Sequence, residues 1–180
     1  MADNIVIPKT INEILKYEFL IPYYQRGYRW TKQQVEDLLN DIWEFGKDKT
    51  KDEVYCLQPV IIKKREEEWE VIDGQQRLVT IFLILKYLET LIDGENKIFS
   101  IRFETRPNSK VYLKNIEENK RYDYIDYFHI YNANDTILNW FNNKAKTGYQ
   151  NARVKFLMQE VSLLQLLKTL KHGLKNLFSQ

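Results

Sequence analysis

Apolar and polar positions along this chain change period several times, and each change marks an element. Ile5-Val6-Ile7-Pro8 is a short apolar start. Thr10 and Glu13 then frame Ile11, Ile14 and Leu15 in a capping pattern, which predicts a short helix over 11–16. Phe19-Leu20-Ile21-Pro22 reads as a strand closed by proline. After Thr31 and Gln34, a capping-box pair, Val35, Leu38, Leu39, Ile42 and Trp43 recur at helical spacing. Glu36, Asp37, Asn40 and Asp41 form the wet side of that helix, and Gly46 is its expected stop.

Val54 to Ile62 is apolar and β-prone, interrupted by Gln58-Pro59. Lys63 to Glu68 is expected to be a charged hairpin connection, with Trp69-Glu70-Val71-Ile72 as the returning strand. From Gln75 to about Ile92 one face carries Leu78, Ile81, Phe82, Leu85, Leu88 and Ile92. Val79, Leu83 and Ile84 widen it until the helix is apolar nearly all round, which predicts a buried core element ending at Asp93-Gly94. Phe99, Ile101 and Phe103 alternate with polar residues as in a half-buried strand. Arg106 to Ser109 is a turn and cap. Val111, Leu113 and Ile116 then form one short helical segment. A longer one runs from Tyr124 through Tyr127, Phe128, Tyr131, Ile137, Leu138, Trp140 and Phe141, and breaks at Gly148. A last helix starts near Gln150, where Leu163, Leu167, Leu170, Leu174 and Leu177 repeat at 4-3-4-3 spacing. That seam covers only about two heptads, so packing within the chain outweighs pairing, and a homodimer through it is the alternative. The pattern is α+β: a small mixed sheet with packed helices, followed by a helical C-terminal portion.

Two stretches carry chemistry. In Val71-Ile72-Asp73-Gly74-Gln75-Gln76-Arg77-Leu78 a buried strand meets a tight turn and a helix start. Gly74 lets the backbone come close to something. The free N–H groups of the helix start, with Arg77 beside them, suit an anion such as phosphate. In Tyr23-Tyr24-Gln25-Arg26-Gly27-Tyr28-Arg29-Trp30, two arginines lie among four rings. Either this is an aromatic loop packed on the domain edge, or Arg26 and Arg29 point at an anionic ligand and the rings set their posture.

Composition narrows the setting. With 180 residues, 44% of them hydrophobic, the chain holds one ordinary domain with room for a helical appendix. The net charge of +2 makes no bulk argument for DNA. From Lys144 onward, however, seven Lys and Arg stand against Glu160 alone. A solvated basic helix face is the ordinary reading of that end, and contact with nucleic acid is the sharper one. Cys56 is the lone cysteine, in an apolar setting that suggests burial, so there is neither an intrachain disulfide nor a cysteine-based zinc site. His129 and His172 stand apart without partner ligands, and His129 is expected to pack in an aromatic helix. No apolar run is long enough to span a bilayer and no signal pattern opens the chain, so the expected compartment is the cytoplasm.

The two stretches stand together in order, and together they resemble the GmrSD N-terminal family, a branch of the ParB/sulfiredoxin-like fold. Its signatures are an I-P-x-Y-Q-R-x-Y-x-W segment, here Ile21 to Trp30, and a D-G-Q-Q-R-L box, here Asp73 to Leu78. Leu57-Gln58-Pro59-Val60 is similar to the strand before the arginine-rich box of ParB proteins. The likeness covers roughly residues 5–105 and, more loosely, the helices to about 143; the leucine-rich end from about 155 is outside it. A division at 106 is expected, with a ParB-like nucleotide-binding domain over 1–106 and a helical portion over 107–180. The resemblance implies binding and hydrolysis of a nucleoside triphosphate (GTP, UTP or CTP type) with Mg²⁺, as the sensor of a restriction or phage-defence DNA endonuclease. It implies catalytic roles for Asp73, Gln75, Gln76 and Arg77, nucleotide contacts from Gln25, Arg26, Arg29, Gly74 and Arg77, and Mg²⁺ at Asp73. Family members usually continue into an HNH-type nuclease domain, which has no counterpart here, so DNA cleavage by this chain alone is not expected and a nuclease domain or subunit is the expected partner. Sulfiredoxin chemistry fails, because Gln75 and Gln76 stand where its cysteine would be. A Gly-x-x-x-x-Gly-Lys loop is absent. The alternative is a non-enzymatic, ParB-like, nucleotide-responsive DNA-binding module.

Overall fold

The computed structural model describes residues 9, 11–48, 58–90 and 98–146. The apolar start at Ile5–Pro8, the Thr10 cap, the strand residues around Cys56, the helix end at Asp93-Gly94, the break at Gly148 and the leucine-rich last helix all lie outside the described residues.

Among the described residues the order is α1 (Ile11–Ile14), β1 (Glu18–Ile21), α2 (Lys32–Asp48), β2 (Ile61–Arg65), β3 (Glu68–Asp73), α3 (Gln75–Glu89), β4 (Ser100–Phe103), α4 (Ser109–Lys114) and α5 (Ile125–Lys146). The strands form a mixed sheet in the order β2-β3-β1-β4. β1 lies inside it, parallel to both neighbours, with Phe19 opposite Trp69 and Ile101. A strand between two parallel partners is covered on both faces and reads as a continuous apolar run. Phe19, Leu20 and Ile21 are accordingly all buried. Among the described residues β4 has a neighbour on one side alone, and its burial alternates as Phe99, Ile101 and Phe103 predicted.

The α+β expectation holds, and the differences are local. β2 continues through Lys63, Lys64 and Arg65, residues expected in the connection, and the turn shrinks to Glu66-Glu67, with Glu66 at φ 54°. These strand side chains face solvent on a strand paired on one side, where charge is common. α2 runs on through Gly46 to Asp48 instead of stopping there; a single helical glycine costs only about 1 kcal/mol, which packing of α2 offsets. Gln34 returns its side chain to the Thr31 N–H at 2.9 Å, the reciprocal half of the capping box. Val111 is 64% exposed, not inward; Ser109, Tyr112 and Leu113 are the buried residues of α4.

α3 is buried nearly all round, as its composition required. α5 buries Tyr127, Ile130, Ala133, Ile137, Trp140 and Phe141. Trp140 donates to Asn40 of α2 at 3.0 Å, and Phe141 stacks on Tyr87 of α3 at 4.5 Å between centroids. One hydrophobic cluster therefore takes in the sheet, α2, α3 and α5. No helix among the described residues is long and apolar enough to cross a membrane.

Candidate functional site

The three parallel strands end on the same side. β1 runs out into Pro22–Trp30, β3 into Asp73-Gly74, and β4 into the turn before Arg106. Loops beyond the carboxyl ends of parallel strands are where open α/β sheets collect ligands, and both sequence motifs lie there.

The second motif builds a rigid base. Gly74 has φ 84° and is the N-cap of α3, with no side-chain cap. The first main-chain bond of α3 joins the Leu78 N–H to Gly74 O at 3.0 Å, so the amides of Gln75, Gln76 and Arg77 precede it. The close approach at Gly74 is made by the chain itself: a Cβ there would lie 2.9 Å from Val60 Cα and 3.0 Å from Pro59 O. Arg77 is engaged on the same segment. Its Nη2 donates to Pro59 O at 2.6 Å and its Nη1 to Gln58 Oε1 at 3.1 Å, while Asp73 is 3.9 Å away. Asp73 itself is 69% exposed.

The two glutamines turn towards the first motif. Gln75 Nε2 donates to Arg26 O. Gln76 Oε1 accepts from the Arg29 N–H at 2.7 Å, and its Nε2 donates to Gly27 O at 3.2 Å. Gln25 Nε2 donates back to Ile72 O at 2.7 Å, and the Tyr24 hydroxyl to Glu70 at 2.6 Å. Tyr28 is buried beneath, its hydroxyl 2.9 Å from Thr80 Oγ1. The structure thus brings together Gln25, Arg26, Arg29, Asp73, Gly74, Gln75, Gln76 and Arg77. It places the glutamine amides on the loop backbone rather than in open space. Of their four amide atoms, Gln75 Oε1 alone has no partner, and it is buried.

The arginines differ. Arg26 is exposed and forms no ion pair with any described residue. Arg29 donates through Nη1 to Tyr28 O and to Asp126 Oδ1, each at 2.7 Å. Asp126, in the first turn of α5, is 1% exposed, and its other oxygen lies 3.3 Å from Arg106 Nε. Arg106 sits over the Tyr124 ring, 4.6 Å from its centroid. Asp126 and Arg106 were not among the residues expected from the sequence. The available signal was an acid in the opening turn of an otherwise aromatic helix, but nothing in the spacing pairs position 126 with position 29.

His129 lies one turn beyond Asp126. Partial burial, then the nearby Arg29 guanidinium, hold its pKa below the ordinary imidazole value, with Asp126 pulling the other way. A depressed imidazole pKa means that the folded state prefers the neutral ring. Its contribution is present above about pH 6.5 and is lost as pH falls through the folded-state value. In urea titrations, His129→Gln should therefore lose less stability than the unaltered chain between pH 7 and 5. An equal loss in both would contradict this placement.

No three His, Cys, Asp or Glu side chains converge as a metal cage among the described residues. A cavity of about 390 Å³ between the far end of α3, β4 and α4 includes no residue of either motif.

The family model described as GmrSD restriction endonuclease, N-terminal domain, matches residues 7–177. This chain belongs to that family. The match extends through the leucine-rich end, which the resemblance read from the motifs did not reach. It makes the chain a GmrSD N-terminal domain, a part of restriction endonuclease systems. No curated protein and no solved structure matches the chain.

Proposed function

We propose that this GmrSD N-terminal domain binds a nucleoside triphosphate with Mg²⁺ and hydrolyses it, as the regulatory part of a restriction-type nuclease. The observation that carries this reading is an uncapped helix start whose first glutamine holds the backbone of an exposed arginine that pairs with no described residue. The α3 amides present partial positive charge where β3 ends. Gln75 holds the Arg26 carbonyl, which fixes the Arg26 main chain beside the first turn of α3, while the exposed Arg26 side chain pairs with no described residue. Together they suit a phosphate.

The roles divide by what each side chain has left to offer. Arg26 neutralises phosphate oxygens, with Arg29 adding charge from the same loop. Asp73, exposed at the strand end, is the carboxylate available to Mg²⁺, which is commonly held by one or two carboxylates together with phosphate oxygens. Gln75 keeps a free acceptor in Oε1 and is the better of the two glutamines to align a water. Arg77 and Gly74 act chiefly by fixing the Pro59–Val60 segment beneath the turn.

Arg26→Ala is the discriminating variant, because Arg77→Ala would also untie Pro59. Loss of a charge-assisted contact should weaken triphosphate affinity by about 10- to 100-fold with little change in melting temperature. Calorimetric titration with each of the four nucleotides, with phosphate release measured in parallel, checks this. Unchanged affinity in Arg26→Ala, or no binding by the unaltered domain, would sink the assignment. Binding without phosphate release would favour a nucleotide-responsive module that is not an enzyme.

A further inference from the structure

We infer that Asp126 is a positioning residue of this site, acting through Arg29 and the Gly27 backbone to hold the arginine loop in a phosphate-ready posture. The inference rests on the nucleotide reading above. Asp126 belongs to neither motif and enters from α5, an element that packs on α2 and α3.

The contact is unusually direct. A Cβ on Gly27 would lie 2.0 Å from Asp126 Oδ1 and 2.2 Å from its Cγ. The carboxylate therefore occupies the space that a side chain at position 27 would need. On the opposite side, Gln76 holds Gly27 O and the Arg29 N–H. Residues 27–29 are clamped between α3, which grips the main chain, and α5, which grips the Arg29 side chain.

The charges extend the argument. Asp126 is one carboxylate facing two guanidiniums, Arg29 and Arg106. The cluster keeps a positive excess on the loop that carries Arg26, which pairs with no described residue, and this favours an incoming anion. Arg29 is 33% exposed, so part of it stays open to a ligand while Nη1 is fixed. Fixing that side chain in advance lowers the ordering cost of binding. Removal of a pair that served the fold alone would lower stability and leave the affinity of the folded protein unchanged.

Asp126→Asn keeps the shape and removes the charge. The test is triphosphate titration of the unaltered domain, Asp126→Asn, Arg29→Gln and the double variant, at a temperature where circular dichroism shows each folded. Asp126→Asn should weaken affinity about tenfold. On the Arg29→Gln background it should add less than about twofold, since both changes remove the same contact. Unchanged affinity in Asp126→Asn, or a full tenfold loss added to that of Arg29→Gln, overturns the inference. Should Asp126→Asn not fold, hydrogen exchange on the unaltered domain decides. Nucleotide should then slow exchange at Arg29 and at Tyr127–Phe128 together, and protection confined to the start of α3 overturns the inference. No binding by the unaltered domain is a separate outcome, which overturns the nucleotide reading itself.

Discussion

Gly27→Ala is expected to lower the free energy of unfolding by about 3–5 kcal/mol. The added methyl would fall 2.0 Å from the Asp126 carboxylate, which is itself buried between two arginines. The carboxylate cannot yield towards solvent, since Asp126 is 1% exposed. Either the loop lifts, breaking the bonds of Gln76 to Gly27 and Arg29, or Asp126 moves and leaves two guanidiniums poorly neutralised. Both routes uncouple a buried charge from its partner, which is among the costliest single changes a core can suffer. Urea unfolding followed by circular dichroism checks the value. A loss under about 1 kcal/mol would show that the contact relaxes freely and would remove the steric argument.

Gly74→Ala should cost about 3 kcal/mol, from two separate sources. The backbone at φ 84° disfavours any L side chain by about 1–2 kcal/mol. A Cβ would also press on Val60 Cα at 2.9 Å, a backbone atom that cannot rotate away, and overpacking of this kind costs about 1–3 kcal/mol. Gly74→Asn separates the two, because asparagine tolerates the left-handed region better than alanine but carries the same Cβ. Nearly equal losses in the two variants place the cost in the Val60 contact. A markedly milder Gly74→Asn would place it in the backbone angle.

Much of the fold was legible because burial on both faces leaves a plain mark. Phe19-Leu20-Ile21 and the α3 run from Leu78 to Leu85 have little polar interruption, and each sits where that demands. Boundaries were less legible. The charged residues Lys63 to Arg65 read as a loop, yet pairing with β3 fixes them as a strand whose side chains face water. Gly46 read as a stop, yet a helix with Leu38, Leu39 and Trp43 buried holds one glycine without breaking. Val111 was misassigned because α4 is too short for an apolar stripe to set its facing; Tyr112 and Leu113 determine it.

The wiring of the two motifs was not legible in the sequence. Both motifs were readable as units, and the structure explains why they occur together. Gln75 and Gln76 satisfy the backbone of Arg26, Gly27 and Arg29, and Gln25 satisfies Ile72. These bonds were not legible because sequence shows a polar side chain without showing what it faces. The use of Gly74 was also hidden: a glycine announces a close approach but not its partner, which proves to be Val60. Asp126 and Arg106 carry no periodic or motif signal, and only the packing of α5 brings them to the loop.

The placement of β1 has a consequence for how this chain acquires its shape. Phe19 finds its partners at Trp69 and Ile101, so an inner strand that emerges early completes its pairing late. Closing such large loops costs entropy before any contact compensates for it, and topologies dominated by distant pairings fold slowly. On a ribosome, the Tyr23–Trp30 segment must wait, first for Gln75 and Gln76, and then for Asp126. Until that last residue appears, Gly27 and Arg29 lack the carboxylate that packs against them in the folded domain. The stretch that carries the first motif is therefore completed later than its own place in the chain would suggest.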